Sequence, residues 1–149
     1  MKSVLFKIML ALPLLVMSSC FDYYDDERDE DLLVGDPWHW TKTVYHDDVP
    51  GGAEYTEYAN EELSFRFHFD GSVSIKSTYV SRFGRVYTDW EHASWDTRHG
   101  ELRISTHDGD WYYNIDYLSH WRLVLIYDDY YVDEWGYRVD RRVEEYYER

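Results

Sequence analysis

From Leu63 to Phe69 apolar and polar residues alternate without a fault, Leu63, Phe65, Phe67 and Phe69 against Ser64, Arg66 and His68. A period of two puts the first set on one face of an extended chain, so the segment predicts a half-buried β-strand. Asp70-Gly71 follows, a pair that tolerates the positive φ of a tight turn, and Val73, Ile75 and Tyr79 then resume the alternation against Ser74, Lys76 and Thr78. Two such runs around one Asp-Gly predict a hairpin, and with it an antiparallel sheet.

The rest of the chain repeats the theme. Gly84 separates the run Arg85 to Trp95, whose better apolar face is Val86, Trp90 and His92, with Tyr87 and Trp95 on the other parity. Arg98-His99-Gly100 turns into Leu102 and Ile104, and Asp108-Gly109-Asp110 turns into Trp111, Tyr113 and Ile115. Each predicted strand is short and each turn carries Gly. Between His120 and Tyr127 one face holds Trp121, Leu123, Leu125 and Tyr127, and the other holds Val124 and Ile126. That outer face needs a cover, for which the segment from Asp31 to Val34 is the nearest candidate. Asp128-Asp129 reads as a loop. A last strand is expected within Tyr137 to Tyr147, in competition with a helix that would present Val139, Val143 and Tyr146 on one side.

With Trp38 to Tyr45 as the first strand, this makes about eight short strands with no Pro inside the central ones, the pattern of a meander closed into a barrel. Closure removes the exposed edges that make open sheets aggregate. The expected core is Phe65, Phe67, Val73, Ile75, Leu102, Ile104, Ile115, Leu123 and Leu125, which share the inward parity of their strands. The stretch His46 to Asn60, with Pro50-Gly51-Gly52, Tyr55 and Tyr58, reads as a loop of roughly 15 residues, long enough to act as a lid.

The first twenty residues read as an address. Lys2 and Lys7 precede an apolar run from Ile8 to Met17, and Ser18-Ser19-Cys20 closes it. Basic, apolar and small residues in that order are a secretory signal, and a run this short does not span about 30 Å of hydrocarbon as a helix. The small residues before Cys20 resemble the lipobox of bacterial lipoproteins, which implies a lipid-attachment site at Cys20. Phe21 to Asp31 is mostly acidic and without apolar periodicity, hence a tether, and it resembles the surface-export signal of Bacteroidetes lipoproteins. The organisation expected is a signal peptide over residues 1–19, a lipidated Cys and tether over 20–31, and one domain over 32–149.

The order of Leu32-Leu33-Val34-Gly35-Asp36-Pro37-Trp38, Phe67-His68-Phe69-Asp70-Gly71, Trp90 and Leu118-Ser119 resembles the small lipocalin-like lipoproteins of Bacteroidetes. The resemblance implies an all-β, antiparallel lipocalin-like β-barrel. It also implies a Trp at the barrel floor, Trp38 or Trp40, with a basic residue of the last strand packed on it by a cation-π contact, Arg141 or Arg142. Trp38 with Arg142 is the pair carried forward.

Function is bounded chiefly by exclusion. A net charge of −15 over 149 residues argues against nucleic-acid partners, which are held by clustered Lys and Arg. The single cysteine leaves no disulfide framework and no Cys-rich metal site. The seven histidines show no HxxxH or HxH pair, so solvated or hydrogen-bonded histidine is favoured over metal ligation. No GxSxG elbow or phosphate-cradling loop is present, so no catalytic residue and no cofactor is assigned. The resemblances to the lipobox and to lipocalin-like lipoproteins imply an extracytoplasmic binding module, an outer-membrane lipoprotein of the bacterial cell envelope facing the periplasm or the surface. Its ligand is expected to be a small apolar or amphipathic molecule held by Tyr79, Trp90 and Tyr113, with Tyr55 and Tyr58 at the mouth. The competing class is an accessory subunit that recognises an envelope protein or a glycan through acidic, Tyr- and Trp-rich surface. An interior void above roughly 300 Å³ would favour the pocket.

Overall fold

A computed structural model describes residues 26–49, 51–59 and 62–149. Cys20, the expected leader and the first part of the expected tether, up to residue 25, lie outside the described residues. A helix, α1 (Asp26–Leu33), leads into β1 (Trp38–Asp47), β2 (Glu54–Tyr58), β3 (Glu62–Phe67), β4 (Ser72–Val80), β5 (Val86–Arg98), β6 (Glu101–Thr106), β7 (Gly109–Leu118), β8 (Arg122–Val132) and β9 (Arg138–Glu148). Every neighbouring pair is antiparallel, and β9 returns to pair with β1 from His39↔Glu148 to Asp47↔Arg141. The result is a closed eight-stranded barrel of β1 and β3 to β9, with β2 as one extra strand. The all-β barrel expected from the periodicity is therefore the observed fold.

The predicted hairpin forms with Phe65 opposite Ile75 and Phe67 opposite Val73. Its turn is closed by the Asp70 carboxylate, which accepts from the Ser72 backbone N–H at 2.9 Å and its hydroxyl at 2.6 Å, while Gly71 supplies a φ of +79°. The strand ends at Phe67, so Phe69 lies in the turn and is 80% exposed rather than continuing the inward row. Inward rows from β1, β3 to β6, β8 and β9 meet in one core of Trp38, Phe65, Phe67, Val73, Ile75, Trp95, Leu102, Ile104, Leu123, Leu125 and Tyr147, against which Tyr113 and Ile115 of β7 pack partly buried. Of the expected core only Ile115 is partly buried, and it packs against that cluster.

Three local expectations are corrected and one open alternative is decided. His46 to Asn60 is not one long loop, because Glu54 to Tyr58 pairs with β1 from Tyr45↔Tyr55 to Lys42↔Tyr58. The strand through Leu125 does not stop at Asp128 but continues to Val132, held by Asp128↔Arg142 and Tyr130↔Asp140 on β9. The C-terminal segment is the expected strand and not the competing helix. Finally, the acidic stretch is helical from Asp26, and Leu33 at its end enters the barrel floor with no exposure. It does not cover Val124 and Ile126. Those outward side chains are flanked across the ladders instead, Val124 by Tyr117 and Tyr146, and Ile126 by Asn114 and Glu144.

The floor is built from both ends of the described chain. Trp38 is fully buried, and its Nε1 donates to the Leu33 carbonyl at 2.9 Å. The Arg149 guanidinium lies 4.1 Å over the Trp38 ring and donates to the carbonyls of Leu32 at 2.8 Å and Val34 at 3.3 Å, and to His120 at 2.7 Å. A helix leaves its last carbonyls without partners and a partial negative charge at that end. Trp38 and Arg149 satisfy both needs at once. The expected floor Trp is thus Trp38, whereas its cation is Arg149. Arg142 sits on the outward parity of β9, half exposed, near Asp116 and Glu144.

Candidate functional site

On β9 the inward row runs Val143, Glu145, Tyr147, between the β8 row Leu123, Leu125, Tyr127 and the β1 row Thr43, Tyr45. The parity that buries Val143 and Tyr147 completely therefore carries a carboxylate into the barrel. Glu145 Oε2 accepts from the Tyr147 hydroxyl at 2.6 Å, and Oε1 accepts from the Tyr127 hydroxyl at 3.1 Å. Tyr113 reaches in from β7 and meets the Tyr127 ring edge-on at 5.5 Å. Beside these groups lies a cavity of about 360 Å³ lined by Leu63, Phe65, Trp111, Tyr112, Tyr113, Tyr127, Glu145 and Tyr147. That is within the roughly 300–1,000 Å³ range of small-molecule sites. The ladder between β7 and β8 ends at Asn114↔Ile126, so Trp111 and Tyr112 stand where the wall parts.

Burial governs the acid–base state of this interior. It pushes the Glu145 carboxyl above its ordinary value of 4.5, against the hydrogen bonds from Tyr147 and Tyr127, which favour the anion. It also raises Tyr113, Tyr127 and Tyr147 above the ordinary phenol value of 10, and the neighbouring Glu145 charge adds to each. A carboxyl whose pKa is higher folded than unfolded holds more proton in the native state, so its contribution to stability is full below the unfolded value and lost as pH rises through the folded one. Glu145→Gln keeps the shape without the charge. The difference in Tm between this variant and the parent is expected to grow in the variant's favour as pH rises above 4.5, in paired calorimetric scans. A difference that stays constant with pH would show that Glu145 titrates as a solvated glutamate.

Further along the inward rows of β1 and β9 lies a polar-aromatic cluster. Tyr45 and Tyr55 stack at 4.4 Å, and Arg141 lies 4.6 Å over Tyr45 while donating to the Tyr55 hydroxyl at 3.1 Å and to Asp129 at 2.5 Å. Tyr131 donates to Asp47 at 3.1 Å. The Tyr45 phenol is pushed up to about 12 by burial and by its hydrogen bond to Glu57. Beyond this cluster a cleft of about 640 Å³ opens among Asp47, Asp48, Asp128, Asp140, Arg138 and Arg142.

Of the residues expected to bind, Tyr113 lines the cavity, whereas Tyr55 belongs to the cluster with Tyr45 and Arg141 and is not part of the cavity lining. Tyr79 stacks on Tyr87 at 5.5 Å, on the inward parity of β4 and β5 but above the barrel rim and 39% exposed. Tyr58 points outward, 71% exposed. Trp90 also points outward, 63% exposed. The register Val73↔Ala93 and Ile75↔Glu91 puts Ala93, Glu91 and Trp95 on the inward side, and so puts Val86, Trp90 and His92 outside. Glu145, Tyr127 and Tyr147 were not singled out from sequence. The signal available for them was the alternation Val143, Glu145, Tyr147, which the adjacent Glu144 and Tyr146 obscure.

The fold and cavity define a closed antiparallel β-barrel with an aromatic interior holding one buried acid. No family model matches the chain, and no curated protein matches it. Among solved structures it is similar to a bovine odorant-binding protein, a deswapped triple mutant, at 18% identity and a TM-score of 0.42 over 76% of this chain and 72% of that one. It is similar to the bovine lipocalin allergen Bos d 2 at 16% and 0.44, over 79% and 73%. It is also similar to apocrustacyanin C2 at 17% and 0.45, over 83% and 63%.

Proposed function

We propose that this protein is a lipid-anchored, extracytoplasmic binding module of lipocalin-like type that holds a small apolar or amphipathic molecule inside its barrel. The observation that carries the reading is the cavity of about 360 Å³, walled by Leu63, Phe65, Trp111, Tyr113, Tyr127 and Tyr147 and opening to solvent beside Tyr112. A barrel filled by its own side chains would leave no such space. Placement in the bacterial cell envelope, as an outer-membrane lipoprotein, rests on the order Lys2, Lys7, apolar run, Ser18-Ser19-Cys20. Two or more acyl chains on Cys20 would hold the domain firmly, where one chain is marginal.

The test is native mass spectrometry of the protein extracted from envelope, washed at high salt. A bound small molecule is expected, and Leu63→Trp, which fills the cavity, is expected to release it. An unliganded parent, or a ligand retained by the filled variant, would overturn the reading. For the anchor, labelling cells with an alkyne fatty acid is expected to tag the parent and to leave Cys20→Ala unlabelled in the soluble fraction. An untagged parent refutes it.

A second reading, recognition of an envelope protein or glycan, is favoured by the exposed rings at the tips of the two long hairpins. Phe83 and Trp90 stand on β4–β5, and Trp135 and Tyr137 on β8–β9, each more than 60% exposed. Complexes made through this acidic surface should weaken steeply with salt, while the interior cavity should hardly respond.

A further inference from the structure

We infer that the barrel cavity selects molecules bearing a protonated amine, with the Glu145 carboxylate as counter-ion and the surrounding aromatic rings as the wall around the ammonium. The inference rests on the small-molecule reading above and names the chemical class of its ligand. A carboxylate offers about four acceptor positions, and the Tyr127 and Tyr147 hydroxyls use two of them. No Lys, Arg or His nitrogen pairs with Glu145 among the described residues. The nearest cation along the same inward row, Arg141, is committed to Asp129 and Tyr55. The cavity thus contains a buried acid with acceptor capacity to spare and no internal counter-charge.

Ligand classes differ in how they meet that acid. A hydrocarbon entering the cavity would expel water and leave the free acceptors dry, which costs the desolvation of a polar group. An alcohol returns a single hydrogen bond. A fatty carboxylate would put a second negative charge beside the first. A primary ammonium brings three N–H donors and a full positive charge, and Tyr113, Tyr127 and Trp111 line the same cavity as Glu145, where ring faces attract cations. Leu63 and Phe65, apolar residues of the same lining, are left for a short alkyl or aryl tail. The net charge of −15 adds a long-range field that concentrates cations at the molecule and repels anions.

The full-length protein is titrated calorimetrically at neutral pH with three probes of one chain length, n-octylamine, n-octanol and octanoate. The amine is expected to bind at least tenfold more tightly than the alcohol, and octanoate weakest. In Glu145→Gln the amine's advantage over octanol is expected to disappear, which separates the cavity from loose adsorption of amines to an acidic surface. The advantage should also shrink on acidification as Glu145 takes up its proton. Tyr113 from β7, Tyr127 from β8, Tyr147 from β9 and Tyr45 from β1 all have raised phenol values, so they stay neutral throughout that range. Octanol binding as well as the amine overturns the inference and leaves the small-molecule reading standing. An amine preference that survives in Glu145→Gln overturns it too. No binding of any probe would remove both. Should Glu145→Gln fail to fold, the three-probe comparison and its pH dependence in the parent still decide.

Discussion

Trp38→Ala is expected to cost at least about 3 to 5 kcal/mol in urea denaturation, the range for deleting a large buried ring. Three losses coincide at this residue. The ring leaves a void in a floor where it has no exposure at all. The Leu33 carbonyl loses the indole N–H at 2.9 Å and becomes an unpaired acceptor at the end of α1. Arg149 loses the face it covers at 4.1 Å, so a partly buried guanidinium keeps its carbonyl partners without its aromatic one. Trp38→Phe isolates the terms, since it restores most of the packing but not the hydrogen bond; it is expected to cost roughly 1 to 3 kcal/mol, the penalty for a buried acceptor left unmade. Arg149→Lys should also be destabilising, because an ammonium does not reproduce a planar fork that stacks on a ring and donates to three carbonyls. A Trp38→Ala change within about 0.5 kcal/mol of the parent, the norm for surface positions, would mean that the floor does not hold the barrel closed.

Legibility in the sequence followed burial. Where one face of a strand is packed and the other solvated, as from Leu63 to Ile75, alternation carried the strands, the turn and the register with it. It weakened in the two long hairpins, whose outer halves rise above the barrel wall. There neither face of β5 is fully buried, so Val86 and Trp90 could compete with Tyr87 for the inward parity, and Trp95, far down the strand, decided it. β2 was invisible for a related reason. All five of its residues are exposed, and what makes Glu54 to Tyr58 a strand is the ladder offered by β1 and the Tyr45–Tyr55 stack. Neither is local to the Pro50-Gly51-Gly52 text that suggested a loop.

The site was less legible than the fold because its chemistry breaks the pattern that reveals the fold. Glu145 occupies a position where alternation demands an apolar residue, and among 30 acidic side chains nothing in its own sequence neighbourhood distinguishes it. Arg149 was missed for want of locality, since it contacts residues 117 and 115 positions earlier in the chain. Of the aromatics singled out from sequence for ligand binding, one lies in the cavity lining. Tyr113 lines the cavity, but parity alone could not tell Tyr113 from the exposed Trp90 without the register.

The buried phenols make alkaline unfolding the other large expected effect. Tyr113, Tyr127 and Tyr147 surround one carboxyl, and burial raises all three above the ordinary value of 10, with the Glu145 charge adding to each. In the unfolded chain these groups lose their protons near pH 10, while in the folded barrel they hold them. Native protein therefore binds more protons than unfolded protein in the window that opens at pH 10, and stability, complete below it, falls as pH rises. Each unit by which a phenol is raised is worth about 1.4 kcal/mol, drawn from a total of only roughly 5 to 15 kcal/mol for a domain. Cooperative unfolding is thus expected just above pH 10, with the tyrosinate absorbance appearing in the same transition that abolishes the near-ultraviolet dichroism of the core. Tyr147→Phe removes the phenol of the most deeply buried ring and should shift the transition to higher pH, even as it deprives Glu145 of its hydrogen bond at 2.6 Å and lowers stability at neutral pH. Those opposite signs at the two ends of the pH range distinguish a titrating interior from a merely weakened one. Smooth, non-cooperative ionisation of all 16 tyrosines near pH 10 with the fold intact would show that the barrel interior is open to hydroxide and water.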